Sequence, residues 1–127
     1  MAHPSPTVLI IDDSVGVCTA VAMMLERGGY TVAVAYTYQQ GLRAATDGNY
    51  SLLLIDVTLG RESGLDLAVE ILRQNVRSKI ILTSGLYDLT PYLEAYPTLI
   101  NTPVLPKPFE LQKLLDCVRE TLGEAAA

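Results

Sequence analysis

Val8-Leu-Ile-Ile-Asp-Asp13 sets four consecutive apolar residues against two adjacent carboxylates. An unbroken apolar run describes a strand buried on both faces, the kind found in parallel sheets covered by helices. The aspartates end the run abruptly, so charge stands where the strand stops. Two other segments repeat this arrangement. Leu52-Leu-Leu-Ile-Asp56 ends in another acid, and Ile80-Ile-Leu-Thr-Ser84 ends in two hydroxyls.

Working outward, β-rich runs at Thr7–Asp12, Thr31–Ala35, Ser51–Asp56, Lys79–Thr83 and Pro103–Leu105 alternate with stretches of helical spacing. Val17, Val21, Met24 and Leu25 form one apolar stripe, stopped by Gly28-Gly29. Thr37 to Gln40 reads as a capping box opening a helix over Tyr38–Thr46. Leu65, Ala68, Ile71 and Leu72 mark a third helix, started by Ser63 or Gly64. Leu111, Leu114, Leu115, Val118 and Leu122 mark the last. Between them the pattern breaks, because five of the seven prolines fall between positions 91 and 108. Thr90-Pro91 reads as an N-cap and first helical residue, and Pro97 limits that fourth helix to less than two turns. Regular βα alternation predicts an α/β fold, a parallel sheet with helices on both faces. The three continuous apolar runs belong in its middle. Thr31–Ala35 is lighter, and the fifth strand is bracketed by Pro103 and Pro106, which suits an edge. The strand order is therefore 2-1-3-4-5, one of the doubly wound arrangements.

The 127 residues suit one domain, with residues 1–6 a flexible N-terminus and 123–127 a tail or the start of a removed linker. Half of the residues are apolar and 18% are charged, a globular composition. Nine basic against fourteen acidic side chains give a net charge of −5, which argues against direct nucleic-acid binding. The N-terminus lacks the basic region of a signal peptide, and the longest nearly apolar run, Val15–Leu25, is too short to cross a bilayer. Cys18 and Cys117 lie far apart in apolar periodic stretches and read as reduced core thiols of a cytoplasmic protein. His3 is the sole histidine and stands among prolines, so histidine catalysis is not expected.

In open α/β sheets, function collects at the carboxyl ends of the strands. Those positions hold Asp12, Asp13, Asp56, Thr83 and Lys107. Taken singly, each has an ordinary explanation as a helix start, a loop start, a strand end or a solvated charge. Together they are costly: at about 4 Å and an effective dielectric near 20, each pair of carboxylates repels by roughly 4 kcal/mol. A cation among them offsets this, and an open, oxygen-rich site suits Mg²⁺. Lys107 and the Thr83 hydroxyl then face an incoming anion. Such a set is suited to phosphoryl transfer onto a carboxylate, which needs no base because it is already deprotonated.

At these residues the chain resembles the receiver domains of two-component response regulators, from Val8–Asp13 through Leu52–Asp56 and Ile80–Ser84 to Lys107-Pro108-Phe109, with Gly64 at the position of the family's loop glycine. The resemblance implies a flavodoxin-like three-layer sandwich and a phosphorylation-dependent signalling switch rather than an enzyme in the ordinary sense. It implies Asp56 as the phosphoacceptor, phosphorylated from the phosphohistidine of a histidine kinase or phosphotransfer protein. Mg²⁺ would be held by Asp12, Asp13, Asp56 and the backbone carbonyl of Thr58. Thr83 and Lys107 would contact the phosphoryl group, and the Lys107–Pro108 bond would be cis.

Three positions depart from that family pattern. Gly60 stands where proline is common, Val104 replaces the usual switch aromatic, and the fourth-helix region is proline-broken. That region carries Leu86, Tyr87, Leu89, Tyr92, Leu93, Tyr96, Leu99 and Ile100. About half would cover the core, while Tyr87, Tyr92 and Tyr96 are candidates for a partner or homodimer surface. The output partner is unknown from sequence. The alternative function is a receiver-like interaction module that signals without phosphorylation. An aspartyl-phosphate phosphatase is disfavoured because Thr58 stands where a second acid is needed, and no GxxxxGK[ST] loop is present for a nucleotide.

Overall fold

Strand alternation divides the core in two. In the computed structural model, which describes residues 6–86 and 88–124, β1 (Thr7–Ile11), β2 (Thr31–Ala35) and β3 (Leu52–Asp56) are followed by two short strands, β4 (Thr58–Leu59) and β5 (Glu62–Ser63). The remaining strands are β6 (Lys79–Ser84) and β7 (Val104–Pro106). Val8, Ile10, Leu52, Leu54, Ile81 and Leu105 point to one face, where they pack with Cys18, Val21, Leu25, Leu114 and Val118. Leu9, Ile11, Leu53, Ile55, Ile80 and Leu82 point to the other, against Leu67, Ala68, Ile71, Leu93 and Leu99. The period of two in a strand is the physical reason that neighbouring residues enter opposite cores.

The helices that close these cores are α1 (Val15–Arg27), α2 (Tyr38–Asp47), α3 (Gly64–Arg73), α4 (Thr90–Leu93) and α5 (Leu111–Leu122). The main sheet is parallel, in the order β2-β1-β3-β6-β7. This is the expected 2-1-3-4-5 order when the five sheet strands are counted alone. The proline-flanked last strand takes an edge, and its Pro106 pairs with Ser84. The β4–β5 hairpin forms a separate antiparallel pair.

Three local expectations change. Thr37 Oγ1 accepts from the Gln40 N–H at 3.1 Å, but Gln40 Oε1 reaches back to the Tyr36 N–H, one residue before the expected partner. Thr90 is the first helical residue rather than the cap: Leu89 already has helical dihedrals, and Asp88 Oδ1 accepts the Thr90 N–H at 3.0 Å. Leu72 is exposed, because the buried stripe of α3 runs through Leu65, Leu67, Ala68 and Ile71. The fourth helix is a single turn, followed by a 3-10 turn at Pro97–Leu99, in line with the expected shortness.

Of the expected flexible stretch 1–6, residues 1–5, with His3, lie outside the described residues, as do Tyr87 and the terminal alanines 125–127, while the Pro6 carbonyl accepts the Thr31 N–H at 3.0 Å. Gly123 ends α5 in a left-handed conformation, and Glu124 accepts a hydrogen bond from the Tyr30 hydroxyl at 3.1 Å. No helix among the described residues is long and apolar enough to cross a membrane.

Candidate functional site

The carboxyl ends of β1, β3, β6 and β7 meet at one rim. Asp12 follows β1 and extends its ladder, its N–H donating to the Ala35 carbonyl at 3.1 Å. Ser14 then caps α1, accepting the Val17 N–H through its hydroxyl, while its own N–H donates to Asp12 Oδ1 at 2.9 Å. A strand end and a helix start thus fix Asp12 from both sides. Asp56 is the last residue of β3 and stands in register with Thr83 on β6. The chain continues through the Val57 N–H, bonded to the Thr83 carbonyl at 3.0 Å. Asp12, Asp56, Thr83 and Ser84 are the buried polar side chains among the described residues.

Lys107 arrives from the other side. Its N–H donates to the Ser84 carbonyl at 2.7 Å, and its bond to Pro108 is cis. Its ammonium donates to Asp12 Oδ2 at 2.7 Å and to Asp56 Oδ2 at 3.0 Å. The second Asp56 oxygen, Oδ1, accepts the Thr58 N–H at 3.1 Å. Asp13 is exposed, and its Oδ2 accepts the Gly60 N–H at 3.1 Å. Carboxylate oxygens of Asp12, Asp13 and Asp56 all lie within 4.8 Å of one another.

Burial pushes the Asp56 carboxyl above its ordinary range, opposed by hydrogen bonds from Thr58 N–H and Lys107 and reinforced by the Asp12 charge. Burial alone would lower Lys107, but its hydrogen bonds to Asp12 and Asp56 outweigh this and hold the ammonium above its ordinary value. Lys107 therefore stays charged across the physiological range. One ammonium faces three carboxylates, so the rim carries excess negative charge. An all-oxygen donor set with surplus negative charge and one exposed member fits a hard divalent cation that retains water ligands. Asp12, Asp13 and Asp56 are the residues that could hold it.

Every rim residue expected from the strand ends is brought to this place. Thr58 begins β4, two residues after Asp56. Gly64 is required by contact: a Cβ there would overlap the Asp56 carbonyl oxygen, and its N–H donates to the Val57 carbonyl at 2.8 Å. Val104 is half-buried beside Leu82 and packs on the core that α2 and α3 cover. The fourth-helix region divides. Leu89, Leu93 and Leu99 are buried; Leu86, Tyr92 and Ile100 are exposed. Tyr96 is not a free surface side chain, because it is half-buried on the core and its hydroxyl donates to Asp66 Oδ1 at 2.6 Å.

Sequence reasoning missed the β4–β5 hairpin, the Gly60 contact with Asp13 and the Cys18 thiol, which donates to the Asp12 carbonyl at 3.3 Å. A signal for the first existed. Leu59 pairs with Glu62, leaving Gly60-Arg61 as a two-residue loop, and glycine in the first loop position is a hairpin signature.

The response regulator receiver domain profile matches residues 8–119. The chain belongs to this family, the signalling receivers of two-component systems. It is 30% identical over 117 residues to the uncharacterized transcriptional regulatory protein YkoG of Bacillus subtilis, covering 92% of this chain and 51% of that protein. The chain thus spans about half the length of the curated relatives it matches. Among solved structures, a CheY-like receiver domain protein from Methanospirillum hungatei aligns with a TM-score of 0.84 at 24% identity, covering 94% of each chain. The receiver domain of a sensor histidine kinase from Pseudomonas aeruginosa, solved with a magnesium ion coordinated in its active site cleft, aligns with a TM-score of 0.82 at 26% identity. That match covers 94% of this chain and 99% of the other.

Proposed function

We propose that this receiver is a phosphorylation-dependent switch acting in the cytoplasm, in which Asp56 accepts a phosphoryl group from the phosphohistidine of a histidine kinase or phosphotransfer protein. The observation that carries the reading is the Lys107 ammonium, held between Asp12 and Asp56 inside a three-carboxylate cluster. An Asp56 carboxylate oxygen attacks phosphorus, the P–N bond to the donor imidazole breaks and a P–O bond to Asp56 forms. The leaving imidazole takes its electron pair. Lys107 loses its contact with the carboxylate, now an acyl phosphate, and pairs with the phosphoryl oxygens. The Thr83 hydroxyl, in register with Asp56, donates to the same group.

Mg²⁺, which the Pseudomonas aeruginosa receiver holds in its active site cleft, would here be held by Asp12, Asp13, Asp56 and the Thr58 carbonyl. When bound, it neutralises charge on the transferred phosphoryl group. Output follows through a partner, a second copy of the chain or further sequence. Exposed Leu86, Tyr92 and Ile100 are the apolar surface available to it near the broken fourth helix.

The test is phosphate incorporation from a small acyl-phosphate donor, read by intact-protein mass spectrometry. One phosphoryl group per chain is expected, dependent on Mg²⁺ and absent in Asp56→Asn. Incorporation that survives this substitution overturns the assignment. A phosphorylation-independent interaction module is the second reading, favoured by half-buried Val104 where the switch aromatic would stand. Failure of the wild-type protein to bind Mg²⁺ or take up phosphate would select it.

A further inference from the structure

Among the three rim carboxylates, Asp12 and Asp56 are buried and tied to Lys107, whereas Asp13 is exposed. A free surface carboxylate samples several rotamers, and ordering it at the moment of ligand capture costs conformational entropy. Here the Gly60 N–H reaches across from the β4–β5 turn to Asp13 Oδ2 at 3.1 Å. Gly60 has φ +62, and a Cβ added there would meet nothing within 4 Å. The requirement at this position is therefore conformational rather than one of space. A proline here would have no N–H to donate and a φ fixed near −65°. A receiver with proline at this position cannot make this contact in this form.

We infer that the Gly60 main-chain N–H is a positioning group for Asp13, clamping one carboxylate oxygen so that the other is presented to the divalent cation. The inference rests on the cation reading of the rim given above. It gives Gly60 a task at the site through its N–H and its positive φ. The clamp also ties the hairpin to the cation. Thr58, whose N–H contacts Asp56, and Ser63, which caps α3, are opposite each other across β4 and β5. Ordering Asp13 through Gly60 therefore orders both strands. By thermodynamic reciprocity, whatever the hairpin contributes to cation affinity, the bound cation returns to hairpin order. Partners of metal ligands have this effect generally: they fix ligand orientation and tune affinity.

The experiment titrates Mg²⁺ into the whole chain and into Gly60→Pro and Gly60→Ala, following backbone amide resonances. Gly60→Pro removes the donor and should weaken Mg²⁺ binding by about tenfold or more, the equivalent of one hydrogen bond to a charged group. Gly60→Ala keeps the N–H at a strained φ and should fall between the two. In a second measurement without Mg²⁺, Asp13→Ala should move the Gly60 amide resonance upfield and speed its hydrogen exchange. Equal affinity in the wild type and in a folded Gly60→Pro overturns the inference while leaving the cation site intact. An unchanged Gly60 amide in Asp13→Ala overturns it even if the proline variant misfolds. Absence of Mg²⁺ binding by the wild type overturns the cation reading and this inference with it.

Discussion

The Tyr96 hydroxyl donates to Asp66 Oδ1 at 2.6 Å, joining the segment after α4 to the first turn of α3. The Asp66 N–H bonds to Ser63 Oγ, and Ser63 precedes Gly64, which presses on the Asp56 carbonyl. A short path of named contacts thus runs from the rim to the proline-broken segment. It does not pass through Val104.

Loss of the Tyr96 hydroxyl should be felt modestly. The bond is solvent-exposed, so Tyr96→Phe should cost at most about 1 kcal/mol in urea unfolding. The phenol itself is a second reporter. Its hydrogen bond to Asp66 raises its pKa, so Asp66→Asn should move the Tyr96 ultraviolet titration to lower pH. An unmoved titration would show that the two side chains do not meet in solution.

Gly64 should tolerate no side chain. A Cβ there overlaps the Asp56 carbonyl oxygen and crowds the Val57 Cα, backbone groups that cannot rotate aside. Gly64→Ala should destabilise the fold by about 3 kcal/mol, read as a lower urea midpoint. Because the displaced atom belongs to Asp56, phosphate uptake should fall as well. A variant as stable as the wild type would contradict the close approach.

Asp56 should destabilise the fold when ionised. Its pKa is raised by burial, so the folded state holds the proton more tightly than the unfolded chain does. Its contribution is neutral below the ordinary carboxylate range, near pH 4, and becomes unfavourable as pH rises through the raised folded value. Asp56→Asn removes that charge and should match the wild type at low pH. At neutral pH it should be more stable. Denaturant melts of both proteins from pH 3 to pH 8 measure the difference. A variant less stable than the wild type at pH 7 would reverse the sign.

The two cysteines should differ in reactivity. Burial, followed by the Asp12 charge, pushes the Cys18 thiol up to about 11, and its Sγ donates to the Asp12 carbonyl. Burial also raises the Cys117 thiol, but that residue is half-buried where Cys18 is fully buried. At pH 8 an alkylating reagent should modify Cys117 first and leave Cys18 protected until unfolding, as peptide mass spectrometry would show. Equal labelling in the folded protein would mean that α1 does not seal the β1 end.

Much of the fold could be read from the chain because the central strands are long and apolar without interruption. Leu52–Ile55 and Ile80–Leu82 admit few placements other than the sheet interior, and prolines at 103 and 106 send the last strand to an edge. The rim followed from the residues that end those strands. The β4–β5 hairpin escaped because a two-residue strand carries no periodicity. Thr90 was displaced as a cap because Leu89 already adopts helical dihedrals, a tertiary outcome that a Thr-Pro pair does not encode. Tyr96 read as surface because its partner, Asp66, is thirty positions away and only the fold brings them together.

The separation of the two cores has a consequence for how the chain can vary. Ile11 and Ile55 enter the core beneath α2 and α3, and the next residue along each strand is a rim acid. Deleting or inserting one residue within β1 or β3 would exchange the occupants of the two cores and carry the acid off the rim. The interior can therefore drift by swapping one aliphatic side chain for another, while the spacing from strand start to carboxylate must be inherited unchanged. In this architecture the chemistry is conserved by counting residues.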